Sequence, residues 1–308
     1  MLDYTKNIAV IGAGKISYSL VNAIQKSKFN ISIIVSQHLN SAKKLAHKFD
    51  IKKYSDHPND IPSNCSLLLL AVPDNQIKIV AENLSGLKLN FKNSLFVHLS
   101  GAHDISLLNA LKNKKAKAAS FHIMQTFPTK KIVNIKNSFV AVEAENNKVK
   151  HVLFQFAESL GLNPFELKSE NKALYHAAGV FASNFLVGNL FNSEILFKES
   201  NINKLNFYEM MQPIIFSTLR NIKKEGAVKA LSGPVERGEL VTIKGHLFDI
   251  KYGNKNTFNK IFYMNYICQS LTLLDIVKNR YGHLNKKHLE VKKFLLQELK
   301  KYSSELKE

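Results

Sequence analysis

The chain has 308 residues, 45% hydrophobic and 22% charged, enough to fill the cores of two ordinary domains. Its formal charge is +19, yet of 43 basic residues only Arg220, Arg237 and Arg280 are arginine. Nucleic-acid sites lean on arginine forks with aromatic partners, so scattered lysines argue for solvated surfaces and against nucleic-acid binding, while their positive field attracts anionic ligands. Residues 1–6 run straight into a β-branched segment without an apolar leader, and no apolar run approaches the roughly 18 to 20 residues of a membrane span. Cys65 and Cys268 lie far apart in apolar company, so neither a disulfide framework nor a metal site is expected, and a reducing cytoplasm is.

In chain order, 7–11 reads as a strand, 16–26 as a helix with Ile16, Leu20, Ala23 and Ile24 on one face, and 31–35 as a second strand. Strand, glycine turn, helix and strand in about thirty residues make the βαβ unit of a parallel sheet. The alternation continues with a helix at 41–49, a strand at 66–72, a helix at 76–84, a strand at 94–99 and a helix at 105–111. Strands at 117–121 and 139–142, a helix at 148–160 and a strand at 164–167 complete it. From Ser169 only helical periodicity remains: 171–198, 207–224, 227–231, 235–250, 258–278 and 286 to the end. The prediction is a doubly wound α/β domain with a mainly parallel sheet over 1–168, followed by an all-helical substrate and dimerisation domain over 169–308.

The first chemistry-bearing motif is Gly12-Ala13-Gly14-Lys15-Ile16-Ser17. Gly12 permits the tight turn, Gly14 lets backbone approach a pyrophosphate, and the following helix start offers unpaired N–H groups. An acid at the end of the second strand would repel a 2′-phosphate; Ser36, Gln37 and His38 stand there instead, with Lys43 and Lys44 a turn beyond, so NADP(H) is expected. Ala71, Val72 and Pro73 end another strand and turn over the cofactor.

The helical segment 171–189 carries Lys172, His176, Ser183 and Asn184 among apolar residues. Lys172 and His176 are one turn apart, and Ser183 returns near the Lys172 direction. A lysine with a lowered pKa suits protonation of an alkoxide formed by hydride addition; the alternative is a lysine snorkelling at a helix start beside a core histidine. Ser100 and Gly101 follow a strand at the carboxyl edge of the sheet, where a hydroxyl and N–H groups suit a carboxylate. His122 and Gln125 also follow a strand, and local turn bonding is the preferred reading for His122. Arg237, between Gly233-Pro234 and Glu239, either grips a substrate carboxylate or pairs with Glu239.

These motifs resemble the Rossmann-like, DUF2520-type family within the 6-phosphogluconate dehydrogenase-like superfamily, over nearly the whole chain. The resemblance rests on the glycine loop, Ala71-Val72-Pro73-Asp74, His98-Leu99-Ser100-Gly101, Phe121-His122-Ile123-Met124-Gln125-Thr126-Phe127, Tyr175-His176-Ala177-Ala178 with Ser183-Asn184, and Leu231-Ser232-Gly233-Pro234 with Arg237-Gly238. Ile123 departs from it, proline being usual there. The resemblance implies Lys172 as general acid/base, with His176 replacing a usual asparagine. It also implies NADPH-dependent reduction of 2-dehydropantoate (ketopantoate) to pantoate for pantothenate synthesis.

The expected function is that reduction, with catalytic Lys172 and His176, with Ser100, Gly101, Ser183, Asn184 and Arg237 on a small anionic oxo-acid, and with no metal. The alternatives are reduction of another oxo- or imino-acid, as pyrroline-5-carboxylate reductases perform, or a non-catalytic dinucleotide sensor or nucleic-acid binder. A long apolar helical half suggests a homodimer.

Overall fold

The structure, a computed structural model, describes residues 7–202, 204–252 and 260–303. The chain forms two compact units, Met1–Phe185 and Leu186–Glu308. In the first unit eight strands make one sheet: β1 (Asn7–Ile11), β2 (Asn30–Val35), β3 (Tyr54–Ser55), β4 (Leu67–Leu70), β5 (Leu95–His98), β6 (Lys117–Ile123), β7 (Phe139–Ala144) and β8 (Asn163–Glu166). Their order is β3-β2-β1-β4-β5-β6-β7-β8. All neighbours pair in parallel except β6 with β7, so β7 and β8 run against the other six. The first six strands have the order of a doubly wound dinucleotide-binding sheet, whose crevice opens at the strand carboxyl ends where the order reverses, here between β1 and β4. After Glu166 every element among the described residues is helical.

Side-chain alternation on the strands sorts the core. Ile8, Val10, Leu67 and Leu69 enter the core on one face of the sheet; Ala9, Ile11, Leu68 and Leu70 enter the other. Both faces are covered, which is why β1 and β4 read as nearly continuous apolar runs. On β5 to β7 the same alternation becomes a division of chemistry. Val97, Ala119, Phe121, Ile123, Val140 and Val142 face the first core. By the two-residue period, His98, Ser120, His122 and Glu143 face the opposite way.

Several expected elements differ in detail. The unpredicted β3 is two residues long, too short for periodicity, and is held by pairing Tyr54 and Ser55 with Ile34 and Val35. The expected helix 105–111 is a 3-10 turn, Ile105–Leu108, followed by Asn109–Lys112. The expected helix 171–198 is two helices, Lys172–Ala182 and Asn184–Glu199, parted where Ser183 adopts φ −122° and ψ −67°. Gly226 (φ 78°) breaks the helix Phe207–Ala230, and left-handed Gly238 (φ 69°) separates Pro234–Arg237 from Leu240–Tyr252. The expected helix start at Phe258 and the end of the chain beyond Ser303 lie outside the described residues.

The second unit packs its core from Val235, Ile243, Leu247, Ile267, Leu274 and Leu295. Among the described residues no helix is long and apolar enough to cross a membrane. In the first unit Phe121 is fully buried, its ring centroid 5.7 Å from that of Phe156. Phe121→Ala is expected to cost about 3–5 kcal/mol, read from urea unfolding; a loss below about 1 kcal/mol would show that β6 does not anchor this core.

Candidate active site

The glycine loop opens a cleft of about 560 Å³. Gly12, Ala13, Gly14, Lys15, Ser36, Gln37, His38, Ala71, Val72 and Pro73 all line it, so ten of the eleven expected cofactor residues share one surface. Ile16 does not; it packs half-buried against the core beneath. Gly12 has φ 108°, and a Cβ there would lie 2.2 Å from the Ala71 carbonyl oxygen, so two strand ends meet only because this residue is glycine. Ser17 donates to the Gly12 carbonyl at 2.8 Å, which fixes the turn and gives the small residue at this position a purpose. The lysines on the cleft wall are Lys15 and Lys130, not Lys43 and Lys44, and Asp56 is an acid that sequence reasoning did not place there.

A second polar assembly lies across β5, β6 and β7. His98 pairs in register with Ser120, and Ser120 with Glu143, so the three form one row on one face of the sheet. Lys172, at the start of its helix and 2% exposed, comes down on this row. Its Nζ lies 2.5 Å from Ser120 Oγ and 3.1 Å from Glu143 Oε2. The other Glu143 oxygen accepts from Ser169 Oγ at 2.7 Å and from the Ile105 amide at 3.3 Å. Burial pushes the Lys172 ammonium below the usual lysine range, while Glu143 pulls against that shift.

One histidine belongs to the row and another lies one step beyond it. His98 is fully buried, its Nδ1 accepting from the Ser100 amide and its Nε2 facing the Asp104 carbonyl. Burial, reinforced by Lys172, drives its pKa down to about 3. His122 is held near 4 by burial, then by His176 and Lys172, and so is neutral at physiological pH. Its Nδ1 lies 2.9 Å from the Tyr175 hydroxyl, and the two rings are perpendicular. Burial raises the Tyr175 phenol to about 12.

His122 and His176, with ring centroids 6.3 Å apart, line a hollow of about 300 Å³ together with Gln125, Thr126, Ser183 and Asn184. The expected grouping of His176, Ser183 and Asn184 therefore occurs in space. Lys172 does not line the hollow. Its ammonium is enclosed in the pair with Glu143, and it lies one helical turn before His176 in the chain.

Ser100 and Gly101 are engaged within the fold, and Arg237 takes the second of its two expected readings. The Ser100 hydroxyl is not open to a carboxylate: it donates to Asp74 Oδ2 at 2.8 Å and accepts from the amides of Ala102 and His103. Gly101 lies under the His122 ring, where a Cβ would come within 2.7 Å of the imidazole; it is small to admit the ring. Arg237 forms a two-pronged pair with Glu239, at 2.6 and 3.3 Å, in the second unit. Arg280, which sequence reasoning passed over, bonds the carbonyls of Val228 and Leu231 and the Glu236 carboxylate, holding the Gly233-Pro234 turn. Also missed were Ser120, Glu143 and Tyr175. The available signal was Ser120 two residues before His122 on an otherwise apolar strand and the lone acid Glu143 near the end of another; Tyr175 lies on a helix, where no strand pattern marks it. Among the described residues no group of three or more His, Cys, Asp or Glu could hold a metal ion.

Residues 3–123 match the family model of a Rossmann-like domain, and residues 138–264 match that of a domain of unknown function, DUF2520. The chain thus carries a Rossmann-like domain followed by a DUF2520 domain. Among solved structures, it is similar to a candidate NADP oxidoreductase from Bacteroides fragilis, with TM-score 0.74 and 23% identity over 88% of this chain and 98% of that one. A 1-pyrroline-5-carboxylate reductase from Streptococcus pyogenes gives 0.58 and 14% over 87% and 99%. An imine reductase from Myxococcus stipitatus in complex with NADP+ gives 0.63 and 10% over 92% and 98%. At these identities the likeness is one of fold. No curated protein sequence matches the chain.

Two outcomes follow from the buried row. Lys172→Met leaves Glu143 buried without its cation and is expected to cost about 3–5 kcal/mol in urea unfolding, whereas Lys172→Met with Glu143→Leu recovers more than half of that. An equally damaging double variant would contradict a pairwise interaction. His98 and His122 have pKa values of about 3 and 4 in the fold against an ordinary 6.5. Both are depressed, so their contribution to stability is complete above pH 6.5 and is lost as the pH falls toward 4, where the unfolded chain takes up protons that the fold refuses. The urea midpoint should drop over that range, less steeply in His122→Gln; a midpoint flat from pH 7 to 4 would refute neutral buried imidazoles.

Proposed function

We propose that the chain is an NADP(H)-dependent oxidoreductase that reduces a small oxo- or imino-acid, with 2-dehydropantoate as the first substrate to test. One observation carries the reading: the glycine-loop cleft and the histidine-lined hollow are joined through a short series of contacts. Pro73 in the cleft wall precedes Asp74, Asp74 binds Ser100, and the adjoining Gly101 seats the His122 ring that lines the hollow. The residues fit a dinucleotide phosphate through the turn at Gly12, the start of the helix Lys15–Gln25, and Lys15 and Lys130. Ser36, Gln37 and His38 leave room for a 2′-phosphate. The folds shared with an NADP+-bound imine reductase and a candidate NADP oxidoreductase support the same cofactor.

When bound, NADPH supplies the hydride. The chain's own part is to orient the acceptor and meet the charge that develops on its oxygen or nitrogen. His122, kept neutral, donates a hydrogen bond without being a strong acid, and its bond to Tyr175 fixes the ring. His176 faces solvent at the hollow and is the group through which a proton arrives. Burial, with a smaller contribution from Lys172, keeps His98 and His122 unprotonated. Gln125, Thr126, Ser183 and Asn184 supply neutral donors and acceptors for substrate hydroxyls or a carboxylate.

An imine without a carboxylate is the second reading, favoured by a specific observation: among the described residues neither lysine nor arginine lines the hollow, so a carboxylate finds no cation there.

The test is NADPH consumption by pure protein with 2-dehydropantoate, 1-pyrroline-5-carboxylate and a panel of small oxo-acids. Turnover is expected, with His122→Phe reducing kcat about 100-fold or more and Ser36→Asp weakening NADPH relative to NADH at least about tenfold. NADPH binding without turnover of any panel member would point to a dinucleotide sensor. Retention on nucleic acid without NADPH binding would overturn the reading altogether.

A further inference from the structure

We infer that Gly179 is a specificity-determining residue of the hollow: its lack of a side chain leaves room for a compact alkyl group of the acceptor, seated against Met124 and Val180. The inference rests on the proposed reduction and adds to it the apolar part of the substrate. Gly179 lies inside the helix Lys172–Ala182, and its φ is not in the left-handed region, so other residues can adopt its backbone conformation. Glycine at such a position weakens a helix relative to alanine, because it gives up more backbone freedom on folding. Packing gives no reason for it. Among the described residues outside its own helix, a Cβ at 179 would meet only Met124, with Sδ at 3.4 Å and Cε at 3.6 Å, which is ordinary van der Waals contact. An alanine fits there without moving the backbone.

The hollow supplies the reason that packing does not. Gly179 and Met124 both line it, so a Cβ at 179 would project from one wall toward another. His176, Gly179 and Val180, spaced by three and four residues, share one face of the helix and all line the hollow. Met124, Gly179 and Val180 therefore make an apolar strip beside His176. The strip forms no strong hydrogen bond, so it selects by shape and by burial of carbon, while the polar walls address the reducible group. At about 300 Å³ the hollow admits only a small molecule, and in so small a space one methyl group changes fit substantially. Gly188 and Gly245 also lie inside helices, but neither lines this hollow.

Steady-state kinetics of the full chain with NADPH test this, using whichever of 2-dehydropantoate, 1-pyrroline-5-carboxylate and the small oxo-acids the wild type reduces. Gly179→Ala is expected to raise KM about tenfold, with kcat changed less than about threefold. The same variant is expected to raise the urea midpoint. Gly179→Leu should lose at least about tenfold more in kcat/KM, and adding Met124→Ala to Gly179→Ala should lower the raised KM again. A glycine kept for packing would give the opposite pairing, a lower midpoint with kcat and KM both damaged, and that result overturns the assignment. So does an unchanged KM in both Gly179 variants, and either result leaves the reaction standing. If Gly179→Leu fails to fold, the alanine variant and its Met124→Ala partner decide. A wild type that binds NADPH but reduces no acceptor overturns the reaction and this assignment together.

Discussion

The buried pair between Lys172 and Glu143 is the interaction on which the first unit's chemistry depends. Removing two charges from water costs several kcal/mol per ion, and their attraction offsets that only when further bonds satisfy both groups. Those bonds are present. Glu143 gathers Lys172, Ser169 and the Ile105 amide, while Lys172 also reaches Ser120. Apolar residues of the same volume could hold the helix against the sheet at least as well. The pair supplies what they could not: a fixed positive charge under two imidazoles, and one geometry for the helix that carries Tyr175 and His176.

That geometry propagates through short links. The strand period places His98, Ser120 and Glu143 in a row and His122 one step beyond it, toward the carboxyl edge of the sheet. Gly101 gives the His122 ring its seat, and Ser100 ties that seat to Asp74 at the start of the helix behind Pro73. A shift of the His98-Leu99-Ser100-Gly101 turn would disturb the cleft wall and the His122 ring together. The turn is therefore a coupling element, and substrate contact from Ser100 would require breaking the bonds that perform the coupling.

Much of this was legible in the sequence wherever the determinant was local. The glycine loop, the strand alternation and the absence of an acid after β2 gave the sheet and nearly the whole cleft wall, because each depends on neighbours along the chain. Lys172 and His176 were found from their helical spacing, but the partner that decides what Lys172 does is Glu143, and no local pattern ties those two residues. The same limit explains Ser100, whose hydroxyl bonds Asp74 across two strands. Arg237 drew attention by its rarity. Its fork closes on Glu239 two residues away, and the more deeply engaged Arg280 stood in an unremarkable helical stretch. Breaks at Ser183 and Gly238 interrupt helices without interrupting the apolar period, so they were invisible to it.

The placement of charge separates the two recognition tasks. The cleft wall carries Lys15 and Lys130, and a lysine-rich exterior adds a field that draws anions toward it. The hollow next to His122 and His176 has neutral polar and apolar walls, and its nearest buried cation is already bound to Glu143. Positive charge thus gathers at the cleft, while the hollow offers neutral hydrogen-bonding groups. A free cation at the hollow would tighten any carboxylate indiscriminately, with or without a reducible group. Enclosing Lys172 with Glu143 removes that cation from the walls of the hollow, and His122 is kept neutral chiefly by its own burial, with His176 and then Lys172 adding to it.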